Sequence, residues 1–235
     1  MKLIITGSSG LLGTELKKHL IGPNYVWLTR REMDITHREM VWDILRHPHD
    51  AVLHLAAYTD VAKAEKERAK CYEVNVVGTD NVARNARRLI YISSDYVFDG
   101  ERGNYNEHDM PCPTNHYSWT KLAGEYEARH AEEFNIIRTS FKPRPFEYPK
   151  AVSDKFTSAG YVDEIAAELA KALRLIAVLP PVLHIGMERS SVYDLAKRTR
   201  PNVQPITLAD LDVRLPKDTS LDCTRWQRLQ ISQAP

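Results

Sequence analysis

Ser94, Tyr117 and Lys121 are residue types that together can deliver a proton to a carbonyl oxygen. Tyr117 and Lys121 stand four apart in a helix-favouring stretch, so their side chains lie one turn apart on one face. A nearby ammonium stabilises a phenolate, so the spacing predicts that Lys121 lowers the Tyr117 pKa and fits it for proton exchange near neutrality. Ser94 closes the apolar run Leu89-Ile90-Tyr91-Ile92 ahead of that helix and adds a second hydroxyl. A different chemistry is written in Thr6-Gly7-Ser8-Ser9-Gly10-Leu11-Leu12-Gly13, where three glycines spaced by three follow Leu3-Ile4-Ile5. Glycine permits a tight turn and close approach of a diphosphate to backbone amides, and a following helix N-terminus adds partial positive charge. Strand, glycine turn and helix in that order point to a nucleotide site.

The elements that must hold these residues alternate. Strands are expected at Lys2 to Thr6, Tyr25 to Leu28, Ala51 to Leu55, Leu89 to Ile92 and Asn135 to Arg138. Helical patterns fall at Leu11 to Leu20, His37 to Arg46, Glu67 to Arg88 and Asn115 to Glu133. Such alternation predicts an α/β protein with a Rossmann-type, doubly wound parallel sheet. The expected division is a dinucleotide-binding domain over residues 1–140 and a small C-terminal substrate lobe over 141–235, interleaved with the sheet. Lys142 to Lys150, rich in proline and basic residues, reads as a loop. A helix at Val162 to Leu173, a strand at Val182 to Ile185 and a helix at Ser191 to Arg198 follow.

Composition narrows the partners. Among 235 residues, 32 Lys and Arg against 31 Asp and Glu leave a formal charge of +1, so no basic excess argues for nucleic acid or an anionic membrane. The N-terminus has no signal-peptide core and no apolar run approaches a membrane span, so a cytoplasmic protein is expected. Cys71, Cys112 and Cys223 are scattered, which predicts reduced thiols and no metal site.

Longer words carry a resemblance. They are the glycine turn, His54-Leu55-Ala56-Ala57-Tyr58-Thr59-Asp60-Val61, Asn75-Val76-Val77-Gly78-Thr79, Ile92-Ser93-Ser94-Asp95-Tyr96-Val97-Phe98-Asp99-Gly100, Tyr117 to Glu125, Ile137-Arg138-Thr139-Ser140-Phe141, and Leu215 to Asp222. On these the chain resembles the extended short-chain dehydrogenase/reductase superfamily, and more narrowly the dTDP-4-dehydrorhamnose reductase family. The resemblance implies hydride transfer from a nicotinamide cofactor to the ketone of a nucleotide-linked sugar. In that scheme Tyr117 donates the proton, Ser94 hydrogen-bonds the carbonyl oxygen, and Lys121 holds the nicotinamide ribose. Cofactor contacts are implied at Gly7, Ser9, Gly10, Leu11, Leu12, Gly13, Arg30, Asp34, Ile35, Leu55, Ala56, Ala57, Tyr58 and Asn75, besides Tyr117 and Lys121. Substrate contacts are implied at Val61, Ser94, Asp95, Val97 and Phe141. The family often has tryptophan where Phe141 stands and usually threonine where Ser94 stands. A homodimer is left open.

Cofactor choice turns on Leu28-Thr29-Arg30-Arg31, which lacks the acidic residue that would exclude a 2′-phosphate. Arginines there suit that phosphate, which favours NADPH and leaves NADH open. The chain is shorter than its family after Ser140. There Arg144 and the flanking lysines either bind the substrate diphosphate or form a solvated loop. A related epimerase or dehydratase shares Ser-Tyr-Lys, but dehydratases usually follow the strand-end hydroxyl with an acidic pair, and Asp95 is followed by Tyr96. A non-catalytic regulatory subunit that kept the cofactor site is the reading from another class.

Overall fold

Leu3, Ile4, Ile5 and Thr6 are all buried, as a strand with both faces covered must be. In the computed structural model, which describes residues 1–232, they form β1 (Leu3–Thr6) at the centre of a six-stranded sheet. Its other strands are β2 (Tyr25–Leu28), β3 (Ala51–His54), β4 (Arg88–Ser94), β5 (Glu133–Thr139) and β10 (Val182–His184). The order is β2-β1-β3-β4-β5-β10, with every pairing parallel. Alternate side chains go to opposite faces. Leu3, Ile5, Leu53, Ile90, Ile92 and Ile137 pack under α1 (Leu11–Leu16) and α7 (Val162–Arg174). Ile4, Val52, Leu89, Tyr91 and Ile136 pack under α2 (Arg38–Leu45) and α5 (Gly78–Ala83). The winding reverses at β1 and β3, and the crevice at the carboxyl ends of those strands is where ligands bind in such sheets.

Three expected boundaries move. The long helix through Arg88 is instead α4 (Arg68–Tyr72), a π turn at Glu73–Val77 and α5, and the chain turns after Ala83. Arg88 opens β4 opposite Glu133, and one of its Nη atoms donates to the Ile176 carbonyl. Glu133 accordingly belongs to β5, since α6 (His116–Glu127) closes with a 3₁₀ turn at Ala128–His130. The first helix stops at Leu16, while Leu20 stays in the same core beyond a turn.

The chain after residue 140 supplies both β10 and α7 to the central sheet. The remainder builds a small lobe of two-stranded pairs. These are β6 (Phe141–Lys142) with β9 (Gly160–Tyr161), β7 (Lys150–Val152) with β12 (Gln204–Ile206), and β8 (Phe156–Thr157) with β11 (Ser190–Ser191). Phe146 packs with Ala151, Tyr161, Leu195 and Val203, and its amide donates to Thr199 Oγ1 at 3.0 Å, so the proline-rich loop is fastened down.

Candidate functional site

The glycine turn is shaped for a close visitor. Gly7 has φ +66°, and a Cβ there would lie 2.6 Å from the Ala56 nitrogen. A Cβ on Gly13 would lie 2.8 Å from Ser8 Cα, so a side chain at either position would strike backbone and force the turn apart. The Gly10 amide closes the turn on the Gly7 carbonyl at 3.0 Å. From this turn a cavity of about 640 Å³ runs to the ends of β4 and β5. Gly7, Ser9, Gly10, Leu11, Leu12 and Gly13 line its start, Arg30, Asp34 and Ile35 its flank, and Leu55, Ala56, Ala57 and Tyr58 its floor. Val61, Ser94, Asp95, Tyr117, Lys121 and Phe141 line the far half. Residues far apart in the chain therefore share one cavity.

On the flank, Arg30 Nε donates to Asp34 at 2.9 Å. Burial raises the Asp34 carboxyl, but hydrogen bonds from Thr36 and Arg30 outweigh it and hold the group below its ordinary range. Arg31 is exposed and lies outside the lining.

Helix α6 presents Tyr117 and Lys121 to the cavity. Asn115 caps it, accepting from the Ser118 amide at 2.9 Å, and Tyr117 falls in the first turn. Glu125, further along α6, is locked to β5 through both Nε and Nη2 of Arg138, each at 2.8 Å, and to β4 through Ser93 Oγ at 2.6 Å. Lys121 Nζ donates to the Ile92 carbonyl at 2.8 Å and sits 4.1 Å from the centre of the Tyr91 ring. Burial lowers its pKa to about 7, against the opposing pull of Glu125. The expected lowering of Tyr117 is reversed. Burial pushes the phenol well up, the Ser94 hydrogen bond pulls it back in part, and the Asp95 charge adds to the rise. The reason is burial, which penalises the phenolate and also lowers the charge that Lys121 carries near neutrality.

Ser94 Oγ donates to Asp95 Oδ1 at 3.2 Å and accepts from the Tyr96 amide at 3.1 Å. Asp95 Oδ2 accepts from Thr157 Oγ1 at 2.9 Å and Thr219 Oγ1 at 2.6 Å, so the lobe is tied to the serine's neighbour.

Three expected contacts lie elsewhere. Asn75 is buried behind the cavity, its amide spent on the Tyr58 backbone (2.8 and 3.1 Å) and on Thr120 Oγ1 (3.0 Å), so it positions the Ala56–Tyr58 stretch. Val97 is fully buried against Phe98, Tyr105 and Leu221, outside the lining, because the 3₁₀ turn at Asp95–Val97 rotates it inward. The Arg144 guanidinium is held by Asp163 (2.8 Å) and Glu164 (2.9 Å), lies over the Tyr161 ring, and is likewise outside the lining. Sequence reasoning missed Tyr96, Thr139 and Tyr148 in the lining, and the Thr157–Asp95–Thr219 link. No local pattern marks Thr157, and although Thr219 lies in the matched word Leu215 to Asp222, long-range folding alone brings both to Asp95. Away from the cavity, Asp80, Glu127 and His130 cluster, but Asp80 already carries Arg84 at 2.8 Å and reads as part of an ion-pair group.

Comparison with known proteins agrees with this arrangement. The family described as RmlD substrate binding domain matches residues 1–142. A dTDP-4-dehydrorhamnose reductase of Mycobacterium tuberculosis (strain CDC 1551 / Oshkosh) is 38% identical over 152 residues, covering 60% of this chain and 50% of that protein. The chain thus spans about half the length of that relative. The methionine adenosyltransferase 2 subunit beta of Rattus norvegicus is 27% identical across 99% of this chain and 83% of its own length. Among solved structures, dTDP-4-dehydrorhamnose reductase from Bacillus anthracis str. Ames in complex with NADP superposes with a TM-score of 0.86 at 27% identity. That match covers 100% of this chain and 94% of the other. No described helix is long and apolar enough to cross a membrane.

Proposed function

Because this chain belongs to the RmlD substrate-binding-domain family, we propose that it is an NADPH-dependent reductase of a nucleotide-linked 4-keto-6-deoxy sugar. The observation that carries the reading is one cavity with a glycine cradle at one end and Ser94, Tyr117 and Lys121 at the other. The residues fit a dinucleotide, since Gly7 and Gly13 allow the tight turn that sets the start of α1 at the cavity, where a helix N-terminus favours a diphosphate. When bound, the cofactor supplies the hydride. The protein's part is proton delivery and orientation. Tyr117, raised by burial, is protonated at neutral pH and gives its proton to the developing alkoxide. The Ser94 hydroxyl, which favours the ionised form of Tyr117, is the donor available to the same oxygen, and Lys121, fixed on Ile92, offers its remaining hydrogens to ribose hydroxyls. Arg30 is the cation available to a 2′-phosphate, exchanging Asp34 for it; NADH remains usable.

Screening nucleotide-linked 4-keto-6-deoxy sugars for NADPH consumption, with product analysis, tests the reading. Consumption with recovery of the 4-hydroxy sugar is expected. A sugar epimerised or dehydrated without net cofactor oxidation would replace reduction by the epimerase or dehydratase reading. The full-length alignment with subunits called methionine adenosyltransferase 2 subunit beta favours a second reading, a cofactor-binding subunit without turnover. Tight NADPH binding with no consumption on any such sugar would select it.

A further inference from the structure

Four cationic side chains line the cavity among the described residues, and three are occupied. Arg30 is paired with Asp34 at 2.9 Å, Lys70 with Glu67 at 3.5 Å, and Lys121 donates to the Ile92 carbonyl. Lys142 makes no hydrogen bond or ion pair with the described residues. It follows Phe141 in β6, and pairing with β9 holds the strand in place. Asp95 is near enough to favour its charge, yet cannot be its dedicated partner, because Thr157, Thr219 and Ser94 already occupy that carboxylate. A second lysine, Lys155, stands on the same side of Asp95, but it is satisfied by the Pro216 carbonyl at 2.7 Å and the Tyr96 ring at 4.6 Å. Thr139, at the end of β5, is 3% exposed, and its hydroxyl has no partner while lining the same cavity. A half-buried ammonium without a partner and a buried unmet hydroxyl, both lining one pocket, are groups that a ligand would satisfy.

We propose that Lys142, together with the Thr139 hydroxyl of the same cavity lining, is the anion-recognising group of the substrate half and receives a phosphoryl oxygen of the nucleoside diphosphate. The inference rests on the nucleotide-sugar reading and moves the diphosphate contact from Arg144 to Lys142. Arg144 instead clasps the loop to Asp163 and Glu164, which keeps Lys142, Pro143 and Tyr148 at the cavity wall. The cofactor's own diphosphate belongs to the glycine turn at the other end.

The test is calorimetric titration of the NADPH-saturated protein with dTDP and with UDP, for wild type, Lys142→Met and Lys142→Arg. NADPH affinity is measured on each protein as well. Contacts to a charged group are worth about 1.5–3 kcal/mol, so Lys142→Met should weaken the better-bound diphosphate roughly tenfold to a hundredfold. Lys142→Arg should recover most of it, and NADPH affinity should be unchanged in all three. Equal diphosphate affinity in wild type and Lys142→Met overturns the assignment while leaving the nucleotide-sugar reading in place. A loss confined to NADPH overturns it in favour of a cofactor contact. Wild type that binds NADPH but neither diphosphate overturns both. Urea unfolding of Lys142→Met, expected near wild-type stability because a half-buried ammonium with no partner among the described residues is removed, separates lost contact from lost fold.

Discussion

Tyr117 and Lys121 occupy the same helix face, but their environments move their pKa values in opposite directions, the phenol up and the ammonium down to about 7. Groups driven apart in this way keep the proton on the acid until a partner draws it off. Tyr117→Phe is therefore expected to lower turnover on the order of a hundredfold to ten-thousandfold while leaving NADPH affinity nearly intact. Steady-state kinetics beside a cofactor titration check it, and a variant retaining half the wild-type rate removes Tyr117 from the mechanism. At the opposite end of the cavity, Arg30→Ala should narrow the preference for NADPH over NADH. Titration of both cofactors decides it, and an unchanged ratio assigns the 2′-phosphate elsewhere. The Tyr117–Lys121 pair and the glycine turn were legible because each has a fixed local spacing, and Ser94 because it closes an apolar strand. Val97 and Arg144 misled because a matched word gives a position along the chain and not a direction: a 3₁₀ turn rotates the first inward, and two carboxylates from α7 capture the second.

Helix α6 carries chemistry at its start and anchorage at its middle. Glu125 and Arg138 are both nearly inaccessible and hold each other through two hydrogen bonds, with Ser93 as a third participant. Removing one partner leaves a buried uncompensated charge, so Glu125→Leu should cost about 3–5 kcal/mol. The double variant Glu125→Leu with Arg138→Met should regain much of that. Urea unfolding of the single and double variants measures both, and equal losses would mean that packing rather than charge holds the helix. Strands were readable because two-sided burial writes continuous apolar runs such as Leu3-Ile4-Ile5. Helix ends were less so. Arg88 and Glu133 look helical by composition, yet each is drawn into a strand by the other across the sheet, and nothing local announces a pairing of that range.

At the scale of the molecule, two histidines are sealed in the fold. His54 lies between Thr6 Oγ1 (2.8 Å) and Thr79 Oγ1 (3.2 Å), and His184 meets the Tyr105 carbonyl at 3.0 Å. Burial lowers each pKa to about 3, helped by Lys121 for His54 and by Arg138 for His184. The unfolded chain binds these protons near pH 6.5, well before the folded protein does, so stability falls as pH drops from about 6.5 towards about 3. Each histidine contributes roughly 1.4 kcal/mol per pH unit across that window. Urea unfolding at pH 7 and pH 5 should show the loss, and His54→Gln should flatten it; an unchanged slope in that variant would place the titration elsewhere. The doubly wound sheet was evident from the alternation of strands and helices, whereas the return of residues after 140 to add β10 and α7 was not, because a short isolated strand carries no record of its neighbour.

The bond from Thr219 to Asp95 also sets an order of events during synthesis. The glycine turn and the first five strands leave the ribosome early, whereas α7 and β10, which complete the sheet and its cover, emerge later. The carboxylate beside Ser94 waits for Thr157 and then, much later, for Thr219 before its acceptors are filled. The wall around Ser94 is therefore the last part of the cavity to be completed as the chain emerges.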